Sequence, residues 1–291
     1  MRIKKSVCTN LVFPKTRKDI DEFARVTEFL KSRGVDSMEF YHDGEARRES
    51  RIGDILDKND MEGIYIAVIP SKEQGLHACS AEEENRRASV KLFCSCMDEA
   101  ADNGISVMML NSGRIGANVK EGLKALKETI GSLYEYMAKK HYSMRLTLEP
   151  CDSWMFARQL LGPTARTAAF LEDCHRAGLP LELTMDSAHT LEEGEDFLEA
   201  VKAVKPFCRH LHFANCYIKD EKSPLYGDQH VGFEYADTEW DYQALIQAWP
   251  AFKEMFDGGE LRVAVEVLCR EEDPYVYFDN MWSRMPFVNV E

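Results

Sequence analysis

Eight short apolar runs alternate with amphipathic stretches along this chain, and that alternation limits the fold more than any other feature. The runs cover residues 6–13, 35–42, 63–70, 105–112, 144–150, 181–189, 208–215 and 261–268. They are rich in β-branched and aromatic residues and end at Gly, Pro or charge, which reads as strands. Helical patterns lie between them. Residues 15–33 carry Ile20, Phe23, Val26 and Leu30 on one face, with Gly34 just beyond as a C-terminal stop. Ser80-Ala81-Glu82-Glu83 has the form of a capping box that opens a helix to about Asn103. Residues 51–58, 120–140, 164–177, 190–204 and 241–256 complete the helices.

Strands alternating with helices predict a parallel sheet. Eight such units in 291 residues predict a closed (β/α)8 TIM barrel, which takes about 250 residues. A doubly wound sheet is the rival, but no GxGxxG follows the first strand. The expectation is a single domain over 1–291, with a long loop after strand seven (216–240) and a C-terminal extension (271–291). Both would sit at the C-terminal mouth, where barrel active sites form.

The polar residues at that mouth carry the chemistry. Strand five ends LTLEP, strand six LTMDSAH, strand seven HLHFAN and strand eight VAVEV. Side chains alternate across a strand. Leu146 and Leu148 share one face, so Glu149 takes the other with Thr147. By the same parity Asp186 opposes Leu183 and Met185, and Glu266 opposes Val263, Val265 and Val267. The apolar faces suit outer helices, which turns the acids inward. His210 and His212 share parity, with His212 nearer the mouth and His210 deeper in the barrel. Three inward carboxylates repel one another unless a cation joins them. Glu149, Asp186, His212 and Glu266 therefore predict one divalent metal ion: Mn²⁺, Co²⁺, Mg²⁺ or Zn²⁺. Asp186-x-x-His189 and Asp228-Gln229-His230 supply further polar groups. They are expected to contact substrate, with a second metal on His189, Asp228 and His230 as the alternative.

Composition narrows the partners. A formal net charge of −14 opposes the phosphate neutralisation on which nucleic-acid binding rests, and it does not favour anionic membranes. No apolar run nears the roughly 20 residues that span a bilayer. Nine cysteines without a CxxC motif read as reduced thiols of a cytoplasmic protein, and the basic N-terminus lacks the apolar core of a secretory signal. A small molecule at a metal is the expected ligand. Trp282, Met285 and Phe287 in the tail are expected either to cover the barrel or to meet a second subunit in a homo-oligomer.

These four strand ends resemble the xylose isomerase-like barrel superfamily, in particular its sugar-phosphate isomerase/epimerase branch, from Lys4 to about Cys269. The resemblance implies a metal held by Glu149, Asp186, His212 and Glu266, and substrate contact by His189. It implies a sugar or sugar phosphate as substrate, with isomerisation, epimerisation or keto-inositol dehydration as the reaction. Glu149 and Glu266, on strands well apart around the mouth, are expected to flank the sugar as acid–base groups. The ketose 3-epimerases carry an Arg six residues after the strand-seven His. Here position 218 is Ile, and Lys219 beside it becomes a candidate substrate contact with Arg158 and Arg270. Asp186/His189 and Asp228/His230 also resemble endonuclease IV, a zinc phosphodiesterase. That enzyme needs histidines at earlier strand ends, where this chain offers only His42. A non-catalytic sugar-binding barrel is the reading outside enzymology.

Overall fold

The computed structural model describes residues 2–44, 46 and 51–288. Its strands are β1 Arg2–Cys8, β2 Ser37–Phe40, β3 Glu62–Ile66, β4 Val107–Asn111, β5 Arg145–Glu149, β6 Glu182–Asp186, β7 Cys208–Phe213 and β8 Glu260–Val265. All neighbours pair in parallel in chain order, and β8 returns to β1, which closes the expected (β/α)8 barrel. Helices occupy the outside because each strand turns an apolar face outward: Leu146, Leu148, Leu183, Val263 and Val265 are all fully buried.

The strand ends are where the sequence expectation shifts. The first strand begins earlier and stops at Cys8, and Thr9–Val12 forms a short helix rather than more strand. The reason is polar. Thr9 Oγ1 donates to the Glu39 carbonyl at 3.0 Å, and Asn10 Oδ1 accepts the Tyr41 N–H at 2.7 Å, which turns the chain over the end of β2. Strand three similarly gives way to a helix, Val68–Glu73, because its apolar run continues into that helix. Strand six stops at Asp186, whose carboxylate accepts the His189 N–H at 2.9 Å and caps the helix Ser187–Glu192. A cap of this kind stabilises a helix by about 1 kcal/mol.

Two helical expectations change as well. The stretch 190–204 divides into Ser187–Glu192 and Phe197–Val204, around Gly194, whose φ of 84° falls in the left-handed region. The capping box at Ser80 does not close. Ser80 Oγ accepts the Glu82 N–H instead, and the helix begins at Glu83 without a side-chain cap.

The C-terminal extension packs on the barrel wall. After the helix Pro274–Trp282, Trp282, Met285 and Phe287 are buried, and the Phe287 ring stacks on Phe213 of β7 at 5.8 Å. Its last three residues lie outside the described ones. Among the described residues no helix is long and apolar enough to cross a membrane.

His42, just past β2, is buried between Phe23 and Phe40, with ring centroids at 4.7 and 5.0 Å. It faces the helical layer rather than the mouth. Burial pulls its pKa down from 6.5 to about 4, and Asp43 only partly opposes this. The folded state thus disfavours the charged ring, and the unfolded chain takes up the proton first. The sign is a loss of stability as pH falls from 6.5 toward 4, reaching about 3 kcal/mol. Urea midpoints of wild type and His42→Leu at pH 7 and 4.5 check this. The wild type should lose more on acidification, and equal losses would remove His42 from the account.

Candidate metal centre

The inward faces of the strands form polar layers. At the base, Arg262 of β8 donates to Glu62 of β3 at 2.7 Å, and Lys4 of β1 meets the same carboxylate. Above it, Ser6 of β1 donates to Glu39 of β2 at 2.7 Å, and the Thr147 and Thr184 hydroxyls meet at 2.7 Å. His210 belongs to this layer, with Nε2 2.9 Å from Glu39 and Nδ1 3.4 Å from Thr184.

At the mouth the side chains of Glu149, Asp186, His212 and Glu266 converge, each offering a ligand atom within 4.8 Å of the others. His212 Nδ1 is 2.9 Å from Glu149 Oε1 and 3.8 Å from Asp186 Oδ2, and it touches Glu266 Oε2. Those four atoms are buried and lack a hydrogen-bond partner. Such atoms are costly to leave unsatisfied, and a divalent cation would satisfy all four together. The donor set therefore fits a metal. Each strand contributes its own device. Asp186 divides its labour, Oδ1 capping the following helix and Oδ2 facing the cluster. Glu266 lies one residue past β8, where its N–H still donates to the Phe213 carbonyl at 3.0 Å and holds the backbone in register.

Glu39, which sequence reasoning missed, sets the orientation of His212. Its Oε2 lies 3.0 Å from His212 Nε2. A proton on Nε2 donated to Glu39 leaves the Nδ1 lone pair facing the cluster, the arrangement that fixes a metal-binding imidazole. Burial would raise the Glu39 pKa, but His210 and His212 hold it well below the usual carboxylate range. The only signal in the sequence was one acid at inward parity within an apolar strand.

The electrostatics call for positive charge. Burial opposes protonation of His212, yet Glu266 and Glu39 raise its pKa well above 6.5. Burial, assisted by Glu266 and Glu149, pushes Asp186 up to about 6 against His189 and His230. Burial would also raise Glu266, but His212 and His230 bring it down to about 2. A metal ion would meet that demand.

Access separates the four groups. The side chains of Asp186 and His212 are fully sealed, while Glu149 and Glu266 retain 7% and 15% exposure. These two do not stand apart as their strand positions suggested: both carboxylates reach the same His212 nitrogen.

Beside this cluster lies a second one. Atoms of His189, Asp228 and His230 fall within 4.8 Å of one another. His230 Nε2 is 3.0 Å from Asp228 Oδ1, and the His189 and His230 rings meet edge-on at 5.4 Å. His189 Nδ1 is anchored at 3.2 Å by Glu192, a fully buried acid also missed from the sequence. Lys219 is not brought to either cluster: its amine donates to the Asp237 carbonyl at 2.7 Å and is half exposed. Arg158 and Arg270 are exposed, and Arg270 is bonded to Gln229 at 3.1 Å.

The sequence profile described as xylose isomerase-like TIM barrel matches residues 27–273. Solved structures superpose over nearly the whole chain at low identity. A D-tagatose 3-epimerase-like protein has TM-score 0.70 and 16% identity, covering 96% of each chain. The IolI protein with a bound zinc atom has TM-score 0.71 and 13% identity, covering 97% of this chain and 96% of its own. The 3-keto-D-glucoside 4-epimerase YcjR from E. coli has TM-score 0.65 and 14% identity, covering 97% and 98%. No curated protein matches the sequence.

Proposed function

We propose that this chain, which belongs to the xylose isomerase-like TIM barrel family, is a divalent-metal-dependent isomerase or epimerase of a sugar or sugar phosphate. The observation that carries the reading is the convergence of four buried, unpartnered donor atoms at the barrel mouth. Sugar epimerases among the superposing structures support it.

Glu149, Asp186, His212 and Glu266 would hold the ion. Bound there, it supplies Lewis-acid stabilisation of negative charge on neighbouring substrate oxygens. The protein's own groups move the protons. Glu149 and Glu266 keep solvent access, and each has a second carboxylate oxygen beyond the one facing His212. One takes the proton from the carbon next to the carbonyl, and the other returns it. Return on the opposite face inverts the carbon, which is epimerisation. Return to the neighbouring carbon by a single acid is aldose–ketose isomerisation. Loss of a hydroxyl after the same first step is the dehydratase outcome. His189, held by Glu192, joins Asp228 and His230 in orienting substrate hydroxyls, and Lys219 would reach a substrate only after leaving Asp237.

Metal content of the purified protein, with Asp186→Ala alongside, tests the reading. About one equivalent of a divalent ion in wild type, lost in the variant, is expected. No metal after reconstitution with each candidate ion would overturn the proposal. Two or three zinc ions would favour the endonuclease-like reading. The outward packing of His42 speaks against that reading, because the one histidine at an early strand end does not face the mouth.

A further inference from the structure

The mouth holds two thiols that the proposed reaction leaves unused: Cys151 lies beside Glu149 and His189, where it accepts from Gln159, and Cys8 lies beside His212 and Glu266. Cys8 is the last residue of β1 and lies opposite Glu39 in the β1–β2 register. Ser6, two residues earlier, donates to Glu39 inside the barrel, so strand alternation turns Cys8 inward as well. The residue is 1% exposed. Its sulfur lies within 4.8 Å of a ring nitrogen of His212 and a carboxylate oxygen of Glu266. His212 Nδ1 and Glu266 Oε2 are themselves buried and unpartnered. A sulfur atom therefore stands beside an otherwise oxygen-and-nitrogen donor set, on its His212–Glu266 side.

Sulfur differs from the other donors in softness. Thiolates favour zinc and cobalt, whereas carboxylate and water suit magnesium and manganese. We infer that Cys8 selects the metal: zinc or cobalt at the centre draws the Cys8 sulfur into its coordination, while magnesium or manganese leaves it a free thiol. As the sulfur–metal bond forms, the S–H bond gives its proton to solvent through the mouth, and no electrons change hands. The inference rests on the metal reading above and adds to it a basis for metal choice.

The test compares cobalt-loaded wild type with cobalt-loaded Cys8→Ser, reading bound cobalt and the near-ultraviolet sulfur-to-cobalt charge-transfer absorption. The expected result is one equivalent of cobalt in both proteins, with the absorption only in wild type. In competition, the preference for zinc over manganese should fall on the order of tenfold in Cys8→Ser. One bound cobalt without the absorption in wild type overturns the role of Cys8 and leaves the metal centre standing. An absorption that survives in Cys8→Ser also overturns it, since another cysteine then supplies the sulfur. Failure of wild type to bind cobalt or any other divalent ion overturns the metal centre itself. Should Cys8→Ser not fold, Cys8→Ala takes its place, and the wild-type spectrum still decides.

Discussion

Glu149→Gln and Glu266→Gln should each lower turnover by about 10²–10⁴-fold. Glutamine keeps the side-chain length and one oxygen but cannot accept the proton. Both acids are also proposed metal ligands, so turnover is to be compared at saturating metal with bound metal measured in each variant. Deuterated solvent separates the two roles. A variant lacking one acid but retaining metal should still exchange the α-proton of the epimer that faces the remaining acid, while forming little of the other epimer. Loss of metal alone would abolish exchange and product together. Near-normal turnover in both variants would sink the two-acid scheme.

The second large effect is expected directly beneath the mouth cluster, at Glu39. This carboxylate lies between two imidazoles, 2.9 Å from His210 and 3.0 Å from His212. Its removal in Glu39→Ala leaves both rings buried without their acceptor, which should destabilise the fold by about 3–5 kcal/mol. Glu39→Gln preserves shape and an accepting oxygen, so it should fold better. It still removes the charge that orients His212 and makes it basic, and metal affinity should drop by about 10–100-fold. Chelator competition at fixed pH measures this. Unchanged affinity in Glu39→Gln would show that His212 needs no orienting partner.

The contrast between Glu39 and the four proposed ligands shows what a sequence of this kind reveals. Glu149, Asp186, His212 and Glu266 each stand at or beside the end of a strand, and alternation alone placed them inward, where the structure brings them together. Glu39 follows the same alternation, but a lone acid in one strand has no local partner to mark it. Its histidines lie more than 170 positions away, at 210 and 212. Glu192 was hidden differently. The sequence placed it in a continuous helix from 190, whereas the chain forms a separate short helix that turns Glu192 back onto His189. Two of the strand boundaries failed for a shared reason. At Val68-Ile69 and at Ser187-Ala188 the chain stays apolar or small while its geometry changes from strand to helix, and period gives no warning over so few residues. Lys219 stood beside the family's arginine position in sequence, yet its amine found the Asp237 carbonyl, a contact made inside a long irregular loop.

The closure of the barrel also has a consequence for how the chain is made. β1 occupies residues 2–8, and its β8 partner, 260–265, lies at the far end of the chain. The tail then reaches back, with Lys5 Nζ donating to the Val288 carbonyl at 2.8 Å and Trp282 Nε1 to the Arg33 carbonyl at 3.1 Å. During synthesis, β1 therefore waits with one open edge until every strand between it and β8 has been made. An unpaired edge is an invitation to foreign strands. The lysines at positions 4 and 5 put charge on that waiting strand, which guards it against the wrong neighbour until β8 arrives.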